Sequence, residues 1–313
     1  MEEILATLAP LALIIALGSA LAHIRFLGAA FIADLNKLAF WVALPALIFV
    51  SASNESESGA QMWRLFGVMI AATLLVSGIA WAASYALDLP STSRGTLVQS
   101  AFRGNLAYIG VPVLANVFNT VAGAKGSPAM TTAVVVMVLT MAFYNILAVI
   151  VLQLSQHSVQ KVKPLVMVRS IATNPLMLAG LLGLVVPLLH ITLPTFLDRS
   201  LQLLGAAAVP LALLCIGGSL VMVPLRGKLS AIVAAALMKT VLVPLLVWGL
   251  AQRVGLGPVE LRICLVFSAC PTAAAAFVMA RQLGGDEALA SGSIALSTIL
   301  SAFSLAFALW LGR

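Results

Sequence analysis

The chain has 313 residues, of which 62% are hydrophobic and 9% are charged, and its formal net charge is +7. Because about a quarter of the residues of a soluble globular domain are charged, this composition excludes an ordinary soluble protein. The basic residues stand singly between apolar runs instead of forming one basic face, which argues against a nucleic-acid-binding protein.

Apolar runs of about 20 residues recur along the chain and predict a polytopic membrane protein. The runs are continuous and do not alternate with polar residues, so they predict helices and not barrel strands. The ten predicted spans are 3–22, 35–52, 63–86, 95–118, 128–153, 168–189, 196–222, 228–251, 259–282 and 287–311. The longest polar connections, Ser51–Gln61 and Gln153–Lys163, are too short to form soluble domains.

Part of the sequence recurs in order at a nearly constant offset. Pro10, Gly18 and Pro45 recur as Pro175, Gly183 and Pro210 at a shift of 165, and Leu97–Ala101 resembles Leu265–Ala269 at a shift of 168. This pattern predicts two five-helix repeats, at 1–153 and 168–313, joined by a cytoplasmic connection at 154–167. Five is an odd number, so the second repeat is inverted, as in many secondary transporters.

The basic residues of the loops predict the orientation, because cytoplasmic loops are enriched in lysine and arginine. Six lie on the side that bears both termini, and nine lie on the other side. The six are Arg64, Lys125, Arg199, Arg253, Arg262 and Arg313, and the nine are Arg25, Lys37, Arg94, Lys161, Lys163, Arg169, Arg226, Lys228 and Arg281. We therefore expect both termini to be extracytoplasmic.

The fourth predicted span contains residues that a lipid-facing helix avoids, namely Arg103, Gly104, Asn105, Gly110 and Pro112. Pro112 lacks a backbone donor and obstructs the carbonyl four residues earlier, and the two glycines permit an irregular backbone. We predict an unwound helix whose free amides and carbonyls face a binding cavity. The alternative is a simple kink that packs against neighbouring helices.

The ninth predicted span is interrupted in its middle by Cys270, Pro271 and Thr272, followed by small residues. Broken helices at corresponding places in two repeats indicate a binding site. The correspondence is imperfect, because the shift of 168 aligns Pro271 with Arg103 and not with Pro112.

Three further positions bear on the same cavity. Asn174 precedes Pro175 at the start of the sixth span, and it is either a ligand-facing amide or a helix cap. Pro45 and Pro210 lie within spans and predict kinks that shape the cavity.

Two cations are predicted to lie deep in the membrane. Lys239 is roughly 16 Å from either end of its span at 1.5 Å per residue, which is beyond easy snorkelling, and Arg103 is similarly deep. All 10 acidic residues lie at span ends or in loops. A bound organic anion would supply the missing negative charge. The alternative is that carbonyls and water satisfy both cations.

The absence of intramembrane carboxylates also argues against a carboxylate proton relay. A sodium site built from carbonyl and hydroxyl oxygens of Ser268, Thr272, Ser297 and Thr298 stays open, because alkali-ion ligands have no fixed sequence spacing. No cofactor is expected, and coupling to Na+ or H+ is undetermined.

Several of these motifs together resemble those of the auxin efflux carrier family, over essentially the whole chain. They are Leu35–Phe49, Arg103–Asn105 with Gly110–Pro112, Asn174-Pro175, Lys239 with Pro244, Ser268–Pro271, and Asp286 after Gly284-Gly285. The resemblance implies the fold of the bile-acid symporter superfamily, with ten helices, two inverted five-helix repeats, and broken helices 4 and 9 that cross. It also implies a scaffold half and a transport half that move by an elevator-like or rocking mechanism.

Plant members of that family export auxin, and bacterial members include malonate and malate carriers. The short connection at Gln153–Lys163 differs from the long cytoplasmic loop of many plant carriers, so this chain resembles a prokaryotic or short form. Regulation by loop phosphorylation is therefore not expected.

We predict an all-α secondary carrier, not an enzyme, for small carboxylates in a bacterial inner membrane, with export as the direction that the membrane potential favours. Asn105 and the crossing helices would bind the carboxylate, and Arg103 and Lys239 would supply the field or structural support. The alternatives are a sodium-coupled symporter, a membrane receptor and an intramembrane enzyme. The expected partners are the substrate and the lipid bilayer, without nucleic acid. A homodimer is compatible with the sequence, which does not determine the oligomeric state.

Overall fold

The computed structural model describes residues 2–53, 59–118, 127–156, 173–222 and 227–312, and every regular element within them is a helix. Within these ranges, six helical stretches are long and apolar enough to cross a membrane. They are Ala29–Ala52, Gln61–Ala86, Pro128–Ser155, Thr195–Val221, Leu229–Val254 and Glu287–Leu311. The prediction of a polytopic α-helical membrane protein is confirmed. The count of ten spans and the inversion of the repeats stay predictions.

The helices are interrupted more often than the predicted spans suggest. In chain order they are α1 (Glu2–His23), α2 (Ala29–Leu38), α3 (Leu44–Ala52), α4 (Gly59–Ala86), α5 (Ser91–Phe102), α6 (Val111–Val117), α7 (Pro128–Ser155), α8 (Pro175–Leu188), α9 (Thr195–Ala206), α10 (Ala208–Met222), α11 (Leu229–Leu237), α12 (Val243–Val254), α13 (Pro258–Ala269), α14 (Ala275–Gln282) and α15 (Glu287–Leu311).

The predicted orientation depends partly on residues outside the described ranges. The connection at 154–167 lies outside the described ranges from residue 157 onward. Several of the counted basic residues also lie outside them. Those residues are Lys125, Lys161, Lys163, Arg169, Arg226 and Arg313. The position of the termini and the repeat boundaries therefore stay predictions.

Large apolar side chains cover the outward faces of the helices. Phe196 is 74% exposed, Leu203 is 76% exposed and Phe303 is 75% exposed. A soluble protein exposes few such side chains in contiguous patches, whereas acyl chains solvate them readily. The bilayer is therefore the solvent for these faces.

The chain divides into two compact units, and each unit takes segments from both halves of the sequence. The first contains Met1–Met62, Ala107–Leu139 and Ala172–Met222, and the second contains Trp63–Leu106, Thr140–Ile171 and Val223–Arg313. The two sequence repeats are thus not the two compact units.

Three π-helical turns share one cause. They are Ala39–Ala43, Leu106–Gly110 and Met238–Leu242, and the α-helix after each has proline as its second residue, at Pro45, Pro112 and Pro244. Proline lacks the amide that an α-helix needs and its ring crowds the carbonyl four residues earlier. A locally widened turn relieves both problems and lets the helix continue.

The carbonyl displaced by Pro244 has another partner. It belongs to Thr240, and the hydroxyl of Ser304 in α15 donates to it.

Pro210 is the third residue of α10, which begins directly after a break at Ala207. The backbone therefore departs from a regular α-helix near Pro45 and Pro210, and the predicted kinks and their effect on a cavity stay predictions.

Two glycines in the first unit allow helix backbones to touch. A Cβ atom at Gly18 of α1 would lie 2.5 Å from the carbonyl oxygen of Leu214 in α10, and one at Gly183 of α8 would lie 2.7 Å from the carbonyl oxygen of Phe49 in α3. Both members of the first contact are 165 positions from members of the second, which is the offset found in the sequence. Small residues at such crossings allow close helix packing in membranes.

In the second unit, Asp286 joins the first turns of α5 and α15. Its carboxylate accepts from the Leu289 amide at 2.9 Å, which caps α15, and from the Ser93 hydroxyl at 2.6 Å. Its amide donates to the Thr96 hydroxyl at 3.0 Å. The start of α5, the helix that leads to the first break, is thereby fixed against α15.

We expect Gly18→Ala and Gly183→Ala each to lower the free energy of unfolding by about 1–3 kcal/mol, because overpacking forces the backbones apart. The melting temperature of the purified protein in detergent measures this effect.

Gly78→Ala in α4 is the matched control, since a Cβ atom there meets nothing within 4 Å. We expect it to leave stability unchanged or to raise it by about 0.5–1 kcal/mol, as alanine favours a helix over glycine. Equal melting temperatures for all three variants would contradict the close packing.

Candidate functional site

Both predicted breaks are present in the second unit. Helix α5 ends at Phe102, and Arg103–Asn105 are not helical before the π-helical turn that starts at Leu106. Helix α13 ends at Ala269, and the chain is irregular until α14 begins at Ala275. The first break is centred on Gly104 and not on Pro112, as the proline alone would suggest.

The two breaks pair with each other through their backbones. The Asn105 amide donates to the Pro271 carbonyl at 2.8 Å, and the Ala273 amide donates to the Arg103 carbonyl at 2.9 Å. We expected free amides and carbonyls facing a cavity, and for these four groups that expectation is wrong. Unpaired backbone groups are costly inside a membrane, and pairing two breaks satisfies them without a ligand.

Gly104 and Thr272 lie directly opposite each other in this antiparallel pairing. They are 168 positions apart, and the same shift converts one of the two backbone hydrogen bonds into the other. The space at the first position is tight, because a Cβ atom there would lie 3.0 Å from a methyl carbon of Leu106 and 3.3 Å from the Phe267 carbonyl oxygen.

The predicted site residues Cys270 and Thr272 are buried and already have partners. The Thr272 amide donates to the Ser297 hydroxyl at 3.0 Å, and the Thr272 hydroxyl donates to the Ser100 carbonyl at 2.8 Å. The Cys270 thiol donates to the Val266 carbonyl at 3.2 Å. These side chains connect the break to its supporting helices.

Asn105 differs from its neighbours in the two paired breaks, Arg103–Asn105 and Cys270–Ala274, which together are called the crossing below. It is half-buried, whereas Arg103, Gly104, Pro271 and Thr272 are buried. Its side-chain amide has no hydrogen-bond partner among the residues that the structure describes. It can therefore offer both a donor and an acceptor to a ligand.

The accessible side of the second break is the start of α14, where Ala274 and Ala275 are exposed. The Ala276 and Phe277 amides in the first turn donate to the Ala273 and Ala274 carbonyls, and the helix dipole places partial positive charge at this end. The arrangement therefore favours a negatively charged group.

Arg103 is 7% exposed, and neutral groups hold its guanidinium. It donates to the side-chain oxygen of Asn145, to the Met279 sulfur at 3.0 Å and to the Tyr144 carbonyl at 3.5 Å. Neutral protein groups thus hold this cation without a bound anion, which agrees with the alternative that the sequence left open.

Lys239 is fully buried, on the π-helical turn that precedes Pro244. Its ammonium donates to the Ser268 carbonyl in the last turn of α13. Within the described ranges neither Lys239 nor Arg103 pairs with a carboxylate, and the ion pair found there joins Lys37 to Asp34 on the surface. The second unit therefore contains two buried cations that neutral groups hold, and its buried carboxylate among the described residues, Glu260 in the first turn of α13, forms no ion pair with either.

Four buried polar atoms in this unit lack a partner among the described residues. They are Gln99 Oε1, Ser100 Oγ, Thr140 Oγ1 and Ser293 Oγ. The Gln99 amide nitrogen donates to the Ala276 carbonyl at 2.9 Å, which links α5 to α14. Buried polar atoms of this kind are ordinarily satisfied by ordered water or a ligand.

The remaining predicted site residues belong to the first unit. Gly110 and Pro112 begin α6, and Asn174 precedes α8. The Asn174 side-chain oxygen accepts from the amides of Leu176 at 3.0 Å and Met177 at 3.4 Å, so the cap interpretation is confirmed. Pro45 and Pro210 also lie in this unit.

Sequence reasoning missed Asn145 and Met279, the two side chains that hold Arg103. Asn145 had a usable signal, because a single amide inside the long apolar run of α7 is costly unless it has a buried partner. Met279 had none, since methionine is unremarkable in an apolar helix.

A family model described as "Membrane transport protein" matches residues 3–309. A protein of Rhizobium meliloti (strain 1021) named "Putative malonate transporter" is 28% identical over 287 residues, which cover 89% of this chain and 86% of that protein. An uncharacterized transporter of Methanothermobacter thermautotrophicus is 28% identical over 296 residues, 93% of each chain. One of Methanocaldococcus jannaschii is 23% identical over 282 residues, 88% of this chain and 87% of that protein.

These relatives are named as transporters and not as enzymes. The match to the family model extends over nearly the whole length and includes both broken helices. The chain therefore belongs to the membrane transport protein family, that is, to the auxin efflux carriers.

Proposed function

We propose that this transporter is a secondary carrier for small carboxylates. The observation that carries the proposal is the unpartnered amide of Asn105 beside two paired helix breaks, in a unit that buries Arg103 and Lys239 without an ion pair among the described residues. A carboxylate placed there accepts from the Asn105 amide and lies near the positive end of the α14 dipole.

The electrostatics favour an anion over a neutral or cationic substrate. Arg103 and Lys239 both lie in the unit that contains the crossing, and their hydrogen-bond partners are neutral. Because charge interactions are strong where water is excluded, two cations without a carboxylate partner among the described residues bias the region towards negative ligands. Neither needs to touch the substrate, as both are positioned to support the crossing.

Dicarboxylates are the first substrates to test. One relative is named for malonate, a compact dianion that suits a site with both fixed cations and amide donors. We propose Asn105 as the residue that contacts the carboxylate, with Gly104 and Pro271 shaping the backbone beside it.

Two pairs of contacts support the inverted repeat of ten helices. Gly18 meets Leu214 as Gly183 meets Phe49, at a shift of 165, and Gly104 faces Thr272 at a shift of 168. A contact that maps onto its own partner under the repeat shift is what a pseudo-twofold axis requires. Inverted repeats provide alternating access, in an elevator or rocking form, by exchanging the conformations of the two halves.

We place the carrier in a bacterial inner membrane with both termini outside, as the loop charges favour. Export is the direction that the membrane potential favours, since an inside-negative potential contributes about 2.3 kcal/mol per charge per 100 mV. A sodium gradient is the alternative driving force.

We expect Asn105→Ala to lower saturable malonate counterflow in proteoliposomes roughly ten- to hundredfold, because a hydrogen bond to a charged group contributes about 1.5–3 kcal/mol. The melting temperature should change little, since the side chain has no protein partner to lose.

Asn36→Ala is the matched control, because Asn36 is also an asparagine but is exposed on α2. Its counterflow should equal that of the unmodified protein. Unchanged saturable flux in the Asn105 variant would show that the carboxylate binds elsewhere.

We also expect an imposed membrane potential to drive net flux of the anion. Proteoliposomes with a potassium gradient and valinomycin provide the potential, and radiolabelled malonate measures the flux. The initial rate should rise when the compartment that contains malonate is made negative. Flux that ignores the potential and requires a sodium gradient would instead favour the symporter.

A further inference from the structure

We propose that the Lys239 ammonium is a built-in cation that takes the place of a dissociable alkali ion at the carbonyl end of α13. Carriers with broken helices commonly bind Na+ at unwound carbonyls and at half-helix C-termini. Here a lysine side chain lies at such an end, so the chain needs no sodium there. The inference rests on the proposed carrier function, and it deepens that function by assigning the coupling.

The end of α13 needs positive charge. The last carbonyls of a helix have no intrahelical donors, and the dipole places about half a negative charge there. Ser268, Ala269 and Cys270 are all fully buried, so water does not solvate this end freely. The Lys239 ammonium donates to the Ser268 carbonyl and supplies that charge.

The backbone of Lys239 is held so that the side chain reaches this end. The residue lies in the π-helical turn Met238–Leu242, which Pro244 explains. The Ser304 hydroxyl fixes the neighbouring carbonyl of Thr240. π-Helical turns occur frequently at functional positions, and this one directs a lysine and not an apolar side chain inwards.

The lysine also contacts the other break. A Cβ atom at Gly104 would lie 3.3 Å from the Lys239 Cε atom. The ammonium therefore holds α13 while the aliphatic stem lies under the backbone that pairs with Thr272. One side chain contacts both interrupted helices, as a bound ion at their crossing would.

The charge balance excludes a simpler role as half of an ion pair. The described ranges contain no carboxylate partner for Lys239, and a buried charge without a partner is strongly unfavourable. An alkali ion at the Ser268 carbonyl would meet a like charge within a few ångströms, where repulsion is large. The lysine and a sodium ion thus exclude each other.

The test measures ion dependence in the unmodified protein and in Lys239→Ala. Malonate counterflow in proteoliposomes and the melting temperature in detergent are both followed in choline buffer with Na+, Li+, K+ or ethylammonium added. The unmodified protein should show less than about a twofold effect of any of these ions. Lys239→Ala should lose about tenfold or more of its counterflow in choline.

Rescue is the decisive readout. Na+, Li+ or ethylammonium should restore counterflow in Lys239→Ala at least fivefold and should raise its melting temperature, because each can occupy the vacated place. A purely structural lysine would not produce an ion-dependent variant. Lys239→Arg keeps a cation and should stay independent of the added ions.

Lys228→Ala is the matched control, since Lys228 also donates to a backbone carbonyl, that of Leu87 at 2.7 Å, but from an exposed position. It should gain no ion dependence.

Sodium-dependent counterflow or stability in the unmodified protein would overturn the inference. So would a Lys239→Ala protein that is impaired and not rescued by any cation, or one that is unimpaired. If Lys239→Ala does not fold in choline, a cooperative melting transition that appears only with Na+, Li+ or ethylammonium supports the inference, and failure to fold with every ion overturns it. If no carboxylate is transported at all, the proposed function fails, and the melting temperatures still test the lysine.

Discussion

The structure depends on how two helices can be broken within an apolar solvent. A break exposes amides and carbonyls that neither lipid nor a neighbouring apolar side chain can satisfy. The two breaks satisfy each other, through the Asn105–Pro271 and Ala273–Arg103 hydrogen bonds. This pairing leaves the side chains at the crossing available for recognition, because the backbone no longer needs a ligand to remain stable.

The charges follow from the same constraint. Breaking helices creates ends with partial charge, and buried cations are the counterpart of buried carbonyl ends. Arg103 and Lys239 therefore serve the scaffold first, through Asn145 and the Ser268 carbonyl. Their positive field is a consequence that a carrier of anions can use. This explains how a chain with no described intramembrane carboxylate partner tolerates two deep cations.

Much of this arrangement could be predicted from the sequence, because membrane helices and their breaks have strong signals. The run of Arg103, Gly104 and Asn105 identified the first break, and Pro271 identified the second. The backbone hydrogen bonds between the two breaks could not be predicted, since no single residue encodes them. Pro112 also suggested a break several residues later than the observed one at Arg103–Asn105. The neutral partners of Arg103 were also missed, because contacts between distant helices leave little trace in one sequence.

The face-to-face position of Gly104 and Thr272 has a consequence for how such a chain arises. If the repeats are inverted, as we propose, a dimer of two identical halves would place one residue opposite its own copy at this point. A single residue type would then have to be small enough for the Lys239 stem and polar enough to bind the Ser100 carbonyl. Fusion of the halves into one chain removes that conflict, because each position can specialise. Different residues at the two facing positions are therefore possible only when both repeats belong to one chain.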